Sequence, residues 1–555
     1  MMKSVRRWLV VAGFCGVVAG ITVLRLAAVA QEPFVMKMTK ALDIFTAVLR
    51  QLITQYVEPI DPEELLQSSL EVMLKQIDPY TRYIDESGSD ELDILSTGSY
   101  TGIGIVAGMQ DDSLLTVLEV HEHSDAWRAG IRVGDRLLQL DSTVVLKLPP
   151  RRLRQYTRGE PGTVVRVVLL RERLSGGYDT LRLQVRREEI RLPAVTVVRL
   201  FDDGVGYIRL ERFSRRATEE VRQALQQLQQ RASLRGLIID VRDNPGGLLD
   251  VAVNICGLFV PQNTPLLTIR GRDPQQDRVY YAYVTPVETE LPLAILIDQG
   301  SASASEILAG VLQDLDRALI VGSPSVGKGS VQSVLSLPHG ASLRLTTSRY
   351  YMPSGRSPQK MPLPLLAAKQ PEPPQPFFTR NGRRVEGNVG IIPDTIVSAE
   401  DSLPEPIRWL QREGWLFRFA TAYAAQYTQP PFRSAPATLL TELERFLEQH
   451  KEAARLYPTT AALTKAVEGA PDHLPPAAVR QLERLLQQSR QQEPSLLLRY
   501  REALLPLLER EILARFLPAR QLQERFLQYD RQLAAAAALV KSQRYYQILA
   551  LTPNR

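Results

Sequence analysis

The sequence predicts an α/β core preceded by a small strand-rich module, with helical regions at both ends of the chain. Three observations carry this. From Gly204 onward, short apolar runs of strand length alternate with amphipathic helical stretches, the texture of an α/β core with crossovers. Between about Gly98 and Arg191, short β-type runs are separated by Gly turns, which reads as a strand-rich module. Beyond Leu403, Leu, Gln, Arg, Glu and Ala recur at helical spacing, as in Gln481, Leu482, Leu485 and Leu486.

Taken in order, residues 1–30 hold a basic start (Lys3, Arg6, Arg7), an apolar run from Trp8 to Leu24, and Ala28-Val-Ala30 before Gln31. That order is an export signal with an A-x-A cleavage site, the alternative being an uncleaved membrane anchor. Residues 31–94 read as helical, with Ile44, Val48, Leu49, Leu52 and Ile53 in register and Asp61-Pro-Glu-Glu64 opening a second helix that ends at Asp78-Pro-Tyr80. The strand-rich module occupies 95–190 and the α/β core 191–402. Within the core the pattern predicts strands Val205–Leu210, Gly236–Val241 and Pro292–Ile297 and helices Ala217–Arg231, Leu248–Phe259 and Ser303–Leu315. Six prolines between Met361 and Phe378 read as an exposed insertion, with regular structure resuming near Val389. Residues 403–555 form a helical region. Solvated charge on a packed bundle is the default for its surface, and docking of a partner chain the alternative.

At 555 residues with 44% hydrophobic content the chain can bury large cores, and disorder is excluded as its main state. Four of the six excess positive charges lie in the first thirty residues, so the net charge gives no reason to expect nucleic acid as a partner. Only Cys15 and Cys256 occur; Cys15 sits in the export segment, and Cys256 in an apolar run that suits an inert core thiol. Five histidines form neither H-E-x-x-H nor a Cys/His cluster, so neither a metal nor a cofactor is expected.

Three segments could carry chemistry. In Gly300-Ser-Ala-Ser-Ala-Ser-Glu-Ile307 small and nucleophilic residues crowd where an apolar strand meets an apolar helix. A helix starting near Ser303 would offer its first free N–H groups and its dipole to a developing oxyanion; the plain alternative is a Ser N-cap in a capping box with Glu306. In Gly327-Lys-Gly-Ser-Val-Gln332, Lys328 and Gln332 stand four apart in turn-and-strand sequence, and a strand places i and i+4 on one face. A lysine acting as base is neutral, and lowering its pKa from about 10.4 to near 7 costs about 4 kcal/mol, which burial can impose. A phosphate loop is the alternative, but Gly329 stands where G-x-x-x-x-G-K-[ST] needs Ser or Thr. In Asp240-Val-Arg-Asp-Asn-Pro-Gly-Gly247 a strand end runs into a turn in which Gly246 or Gly247 could present a second oxyanion N–H, unless the turn is purely structural.

Together these segments resemble the carboxyl-terminal processing peptidases, or tail-specific serine proteases. The serine and lysine blocks read much like that family's S-A-S-A-S-E-I and G-K-G-x-V-Q, and Lys328 follows Ser303 by 25 residues, as in the family. Family-like runs also include Gly204-Val-Gly-Tyr-Ile-Arg-Leu210, Leu345-Thr-Thr-Ser-Arg-Tyr-Tyr-Met-Pro-Ser-Gly-Arg356 and Gly390-Ile-Ile-Pro-Asp394, so the likeness covers about residues 40 to 400. It implies a crotonase/ClpP-like α/β protease core with an inserted PDZ domain, Ser303 as nucleophile, Lys328 as base, Gln332 orienting it, and an oxyanion hole from Ala304 with Gly246 or Gly247.

The module at 95–190 resembles the family's PDZ domain. Tyr100-Thr-Gly-Ile-Gly-Ile105 stands as the carboxylate-binding loop (Gly102, Ile103, Gly104, Ile105), Ala129-Gly-Ile-Arg-Val-Gly-Asp135 as a helix-to-strand turn, and Arg158 in a motif shared by such domains. In such a domain loop N–H groups capture a terminal carboxylate while the peptide adds a strand. Trp127-Arg128 and Val389 depart from the family pattern. The expected partner is a protein or peptide with a free, apolar C-terminus, acted on outside the cytoplasm; membrane association through the N-terminus and homo-oligomerisation stay open. The rival reading is an inert PDZ scaffold of the cell envelope.

Overall fold

A computed structural model describes residues 34–85, 94, 97–109, 114–145, 148, 150–360, 373–398, 403–431, 436–450, 458–469 and 474–551. The expected export segment and most of the proline-rich insertion lie outside the described residues. The chain divides into two units, Met1–Tyr83 and Ile84–Arg555.

In the first unit, residues 34–55 are helical, with Ile44, Val48 and Leu52 exposed. The second helix, Pro62–Lys75, starts as expected: Asp61 caps it by accepting the Glu63 N–H at 2.9 Å, and proline occupies its first turn. After the helix Asp78 Oδ1 gathers the N–H groups of Tyr80 (2.7 Å) and Thr81 (2.6 Å), turning the chain away.

The second unit holds a six-stranded sheet in the order Val195–Leu200, Val205–Leu210, Gly236–Asp240, Leu293–Ile297, Leu319–Gly322 and Thr395–Ile396. Its first pair is antiparallel and all the others parallel. Alternation along the strands gives the sheet two apolar faces. Leu237 and Ile239 point to one, where helices Ala217–Arg231, Leu249–Gly257 and Ala304–Asp314 cover them; Ile238 points to the other. That second face is covered by the end of the chain. Leu533, Ala536 and Val540 of helix Arg531–Val540, with Tyr545 and Leu549, pack on Val205, Tyr207, Ala294, Leu296 and Val321. The helical region expected from residue 403 therefore also packs on the core. The last helices are the second layer of the α/β core, because a parallel sheet cannot leave one face in water.

A smaller antiparallel sheet joins Pro265–Gly271, Arg278–Tyr281, Ser342–Tyr351 and Ser330–Ser336. The proline-rich stretch is corrected at its end: Gln375–Phe378 pairs with Arg384–Gly387, so regular structure resumes before Val389. A two-stranded hairpin accepts Pro376 because the missing N–H can face outward.

The strand-rich module is an antiparallel sheet running Ile105–Met109, Leu115–Val120, Arg136–Leu140, Val164–Glu172 and Tyr178–Arg186 over its own core of Ile103, Val117, Leu137 and Val167. It abuts a helical bundle built from Glu405–Arg412, Trp415–Ala424, Pro436–Glu448 and Arg501–Leu513. Arg132 donates to the Tyr427 carbonyl at 3.0 Å and lies 4.9 Å from the Phe516 ring centre. Gly134 touches Thr421 so closely that a Cβ there would stand 2.2 Å from Oγ1.

Candidate active site

The carboxyl ends of the central strands carry the site, as open α/β sheets favour. Strand Leu293–Ile297 ends in Asp298, whose Oδ1 accepts the N–H groups of Gly300 (2.9 Å) and Asp243 (2.8 Å). Ser301 Oγ donates to Val241 O at 2.7 Å. Asn244 O accepts both the Ala302 N–H (3.1 Å) and Ser305 Oγ–H (2.8 Å). The serine block is thus stitched to the turn after strand Gly236–Asp240. Ser303 sits at the N-terminus of helix Ala304–Asp314 with φ 55° and ψ −112°, a conformation costly for a residue with a side chain and held only because its surroundings fix it. The Ser303 side chain is half-buried between buried Ala302 and Ala304.

Glu306 joins serine and lysine blocks. Fully buried, it takes four donors: the Ser303 N–H (2.9 Å) and Lys328 N–H (2.8 Å) on Oε2, and Ser325 Oγ–H (2.6 Å) and the Gly327 N–H (2.8 Å) on Oε1. Burial pushes its carboxyl up to about 7 against the pull of those donors. On the opposite side Tyr350 Oη reaches the carbonyls of Ser303 (3.2 Å) and Lys328 (2.5 Å). Both backbone donors and both acceptors of the pair are therefore tied to common atoms.

Two N–H groups of the serine block and the adjoining turn are open. The Ala304 N–H, in the first turn of the helix, and the Gly247 N–H make no hydrogen bond among the described residues. Gly246 plays a different part from the one expected. Its N–H goes to Asn244 Oδ1 at 2.9 Å, so it is not an open donor. What the site needs there is the missing side chain. At φ 103°, a Cβ would stand 2.7 Å from Ala302 O, 2.9 Å from Ala304 N and 3.0 Å from Ser303 Cβ. Buried Asn244 holds the turn by donating to Leu210 O at 2.7 Å.

Gln332 lies on strand Ser330–Ser336, and its Nε2 donates to Ser330 Oγ (2.9 Å) and Thr346 Oγ1 (3.3 Å). The alternation that was to place it beside Lys328 does not apply. Lys328 precedes the strand, and the ladder shifts register between Val331 and Gln332.

Residues 204–363 match peptidase family S41, residues 116–171 match a PDZ domain, and residues 407–540 match the C-terminal helical domain of probable PDZ-proteases. The carboxy-terminal-processing protease of Bartonella bacilliformis is 32% identical over 338 residues, spanning 60% of this chain and 76% of that one. Carboxy-terminal processing protease CtpB of Bacillus subtilis is 30% identical over 370 residues, spanning 65% and 76%. The chain belongs to peptidase family S41. Among solved structures, a photosystem II D1 C-terminal processing protease is 27% identical, covering 63% of this chain and 86% of that one, with a TM-score of 0.38. As an S41 member with a PDZ domain, the chain is a serine peptidase acting on peptides or proteins, and the inert-scaffold reading falls away.

In the PDZ domain of this S41 peptidase, Ile105–Met109 is an edge strand, the kind of site where an added strand can pair. The loop before it is partly engaged. The Ile103 N–H donates to Thr157 O at 3.1 Å, Gly102 forms a β-bridge with Arg158, and Gly104 adopts φ 85° against Ser124. Of the four loop residues proposed from sequence, Ile103 therefore does not offer its N–H here. Arg158 lies 4.6 Å over the Tyr100 ring, whose hydroxyl burial pushes up to about 12.

Sequence reasoning missed two S41 site features. Glu306 was read only as a capping partner. Asp240, fully buried, accepts from Tyr207 Oη (2.8 Å), Arg209 Nη1 (3.0 Å) and Arg242 Nε (2.9 Å). Burial alone would raise its carboxyl, but Arg242 and Arg209 hold it well below the usual carboxylate range. A lone acid ending an apolar strand two residues before an arginine was the available signal.

Proposed function

We propose that this S41 peptidase cleaves proteins near their C-termini through a Ser303–Lys328 pair assisted by Gln332. Neutral Lys328 takes the proton of Ser303 Oγ as that oxygen bonds to the scissile carbonyl carbon. The oxyanion is held by the N–H groups of Ala304 and Gly247. Collapse breaks the C–N bond and the departing nitrogen takes the proton from Lys328; water then attacks the acyl-enzyme, giving a proton to the same amine, which passes it to Ser303 Oγ as the ester C–O bond breaks. Gln332, its Nε2 engaged by Ser330 and Thr346, has its carbonyl oxygen to turn toward the Lys328 ammonium.

The observation that carries this reading is the shared Glu306 oxygen, which brings together two backbones otherwise 25 residues apart. The two-layered covering of the parallel sheet suits a crotonase/ClpP-like core. Residues 1–30 support export to the periplasm or cell envelope, by cleaved signal or inner-membrane anchor. The open PDZ edge suits an apolar C-terminal tail added as a strand.

Ser303→Ala and Lys328→Ala should each abolish cleavage of an unfolded protein with an apolar C-terminus, and a serine-reactive probe should label wild type but not Ser303→Ala. Full activity in either variant would remove the assignment.

A further inference from the structure

A carboxylate near the end of the chain reaches the backbone that carries the oxyanion turn. Asp530 caps helix Arg531–Val540 by accepting the Leu533 N–H at 2.9 Å. The same carboxylate accepts Nη1 of Arg242 at 3.1 Å and Nη2 at 2.6 Å. Gln532 Oε1 accepts from Arg242 Nη1 at 2.8 Å while its Nε2 donates to Val397 O at 2.6 Å. On its other edge Arg242 spans Asp240, with Nε on Oδ1 at 2.9 Å and Nη2 on Oδ2 at 2.5 Å.

The guanidinium is planar, and its donors leave in fixed directions. Gripped by carboxylates on two edges, it cannot rotate without breaking several charge-assisted bonds at once. The arrangement has a counterpart beside it. Arg209 also shares Asp240, and it leans on Glu211 at 3.1 Å, which in turn accepts Gln523 Nε2 at 2.9 Å. The two arginines thus have Asp240 in common, and residues 523 and 530 steady or supply a further acid of each, Glu211 for Arg209 and Asp530 for Arg242. Arg242 is two residues from Asn244, whose carbonyl takes the Ala302 and Ser305 donors and whose side chain takes the Gly246 N–H. A shift of Arg242 passes directly into that turn.

We propose that Asp530 is a positioning residue of the active site, fixing Arg242 so that the Asn244–Gly247 turn stays registered with Ser303. The proposal rests on the oxyanion role given to that turn above.

The test is steady-state cleavage of a C-terminal peptide by the full chain. Asp530→Asn should lower kcat by about tenfold or more with KM little changed, since misplacing a catalytic group by a fraction of an ångström is felt in the chemical step. Asp530→Glu should restore most of it. Lys541→Ala breaks an ion pair to Asp203 that tethers the same helix away from Arg242; it should lower Tm and leave kcat unchanged. Wild-type kcat in folded Asp530→Asn overturns the proposal, as does an equal kcat loss in Lys541→Ala, which would reduce the effect to helix docking. Should Asp530→Asn not fold, Gln532→Met removes one acceptor of Arg242 without touching the cap, and an unchanged kcat there overturns the proposal equally. Failure of the underlying Ser303 reading is separate: the serine-reactive probe would then not label wild type.

Discussion

Ser303 and Lys328 donate their backbone N–H groups to one and the same carboxylate oxygen, Oε2 of Glu306, at 2.9 and 2.8 Å. A fully buried acid with four donors on its two oxygens is a fastener. Its chemistry makes the spacing of the pair sensitive to a single atom.

Glu306→Gln keeps the shape and replaces one acceptor oxygen with a donor nitrogen that faces N–H groups. Stranding those donors should cost about 1–3 kcal/mol, and the displaced pair should lose about a hundredfold in kcat. Urea midpoints and peptide cleavage rates check both.

The same acid sets a pH dependence. The folded protein holds the Glu306 proton up to about 7, whereas the unfolded chain releases it near 4.5. Unfolding therefore releases a proton within that window, and the stability of the wild type falls as pH rises through it. Relative to Glu306→Gln, which cannot titrate, the urea midpoint of the wild type should drop between about pH 4.5 and about pH 7. Cleavage should rise as pH passes through about 7, where the folded carboxyl ionises and becomes the better acceptor for its four donors.

Gly246→Ala places a methyl 2.7 Å from Ala302 O and 3.0 Å from Ser303 Cβ, at a φ of 103°. The serine backbone has to move, and kcat should fall by about two orders of magnitude while KM changes little. Stopped-time peptide assays and serine-probe labelling rates read the loss directly.

Asp240→Asn leaves Arg209 and Arg242 without the acid they share at the sheet's carboxyl end. Glu211 and Asp530 still pair with these arginines, so the cost stays below the ~3–5 kcal/mol of a fully uncompensated buried charge, and thermal unfolding should shift downward. Because the folded carboxyl titrates well below its usual range, the wild-type contribution of this acid is complete above the ordinary carboxylate pKa and is lost only as pH falls through the lower folded value. The difference between wild type and variant should therefore be constant near neutrality and shrink in strong acid.

Arg132→Ala removes the bond to Tyr427 O and the stacking on Phe516 that fasten the PDZ domain to the helical bundle. A loss of about 1–2 kcal/mol is expected for a partly buried arginine of this kind. Limited proteolysis should then cut between the two parts sooner than in wild type.

The serine and lysine blocks, the strand-rich module and most core elements were legible because their signals are local: small residues at a strand-to-helix junction, period-two and period-3.6 patterns, Gly turns. Strand Val205–Leu210 and helix Ala217–Arg231 fall where the pattern puts them. Glu306 was visible but ambiguous, since a capping acid and a fastener look alike until the lysine block arrives. The alternation linking Gln332 to Lys328 in the sequence is interrupted by a register shift that no side-chain pattern announces. The terminal helices showed an apolar stripe without showing what it covers, and only the fold reveals that Leu533 and Val540 lie on the sheet. Asp530 was out of reach for the same reason, its partner standing 288 positions earlier.

The terminal layer also sets an order of events during synthesis. A nascent chain that has already made Ser303, Lys328 and the whole parallel sheet still shows Val205, Ile238, Leu296 and Val321 to water, because their cover, out to Leu549, has not yet left the ribosome. Burying those side chains is worth about 1.5–3 kcal/mol each, so the sheet closes only once residues out to Leu549 have been made. A chain stopped before Asp530 would thus hold Ser303 and Lys328 but lack the cover of the sheet that carries them.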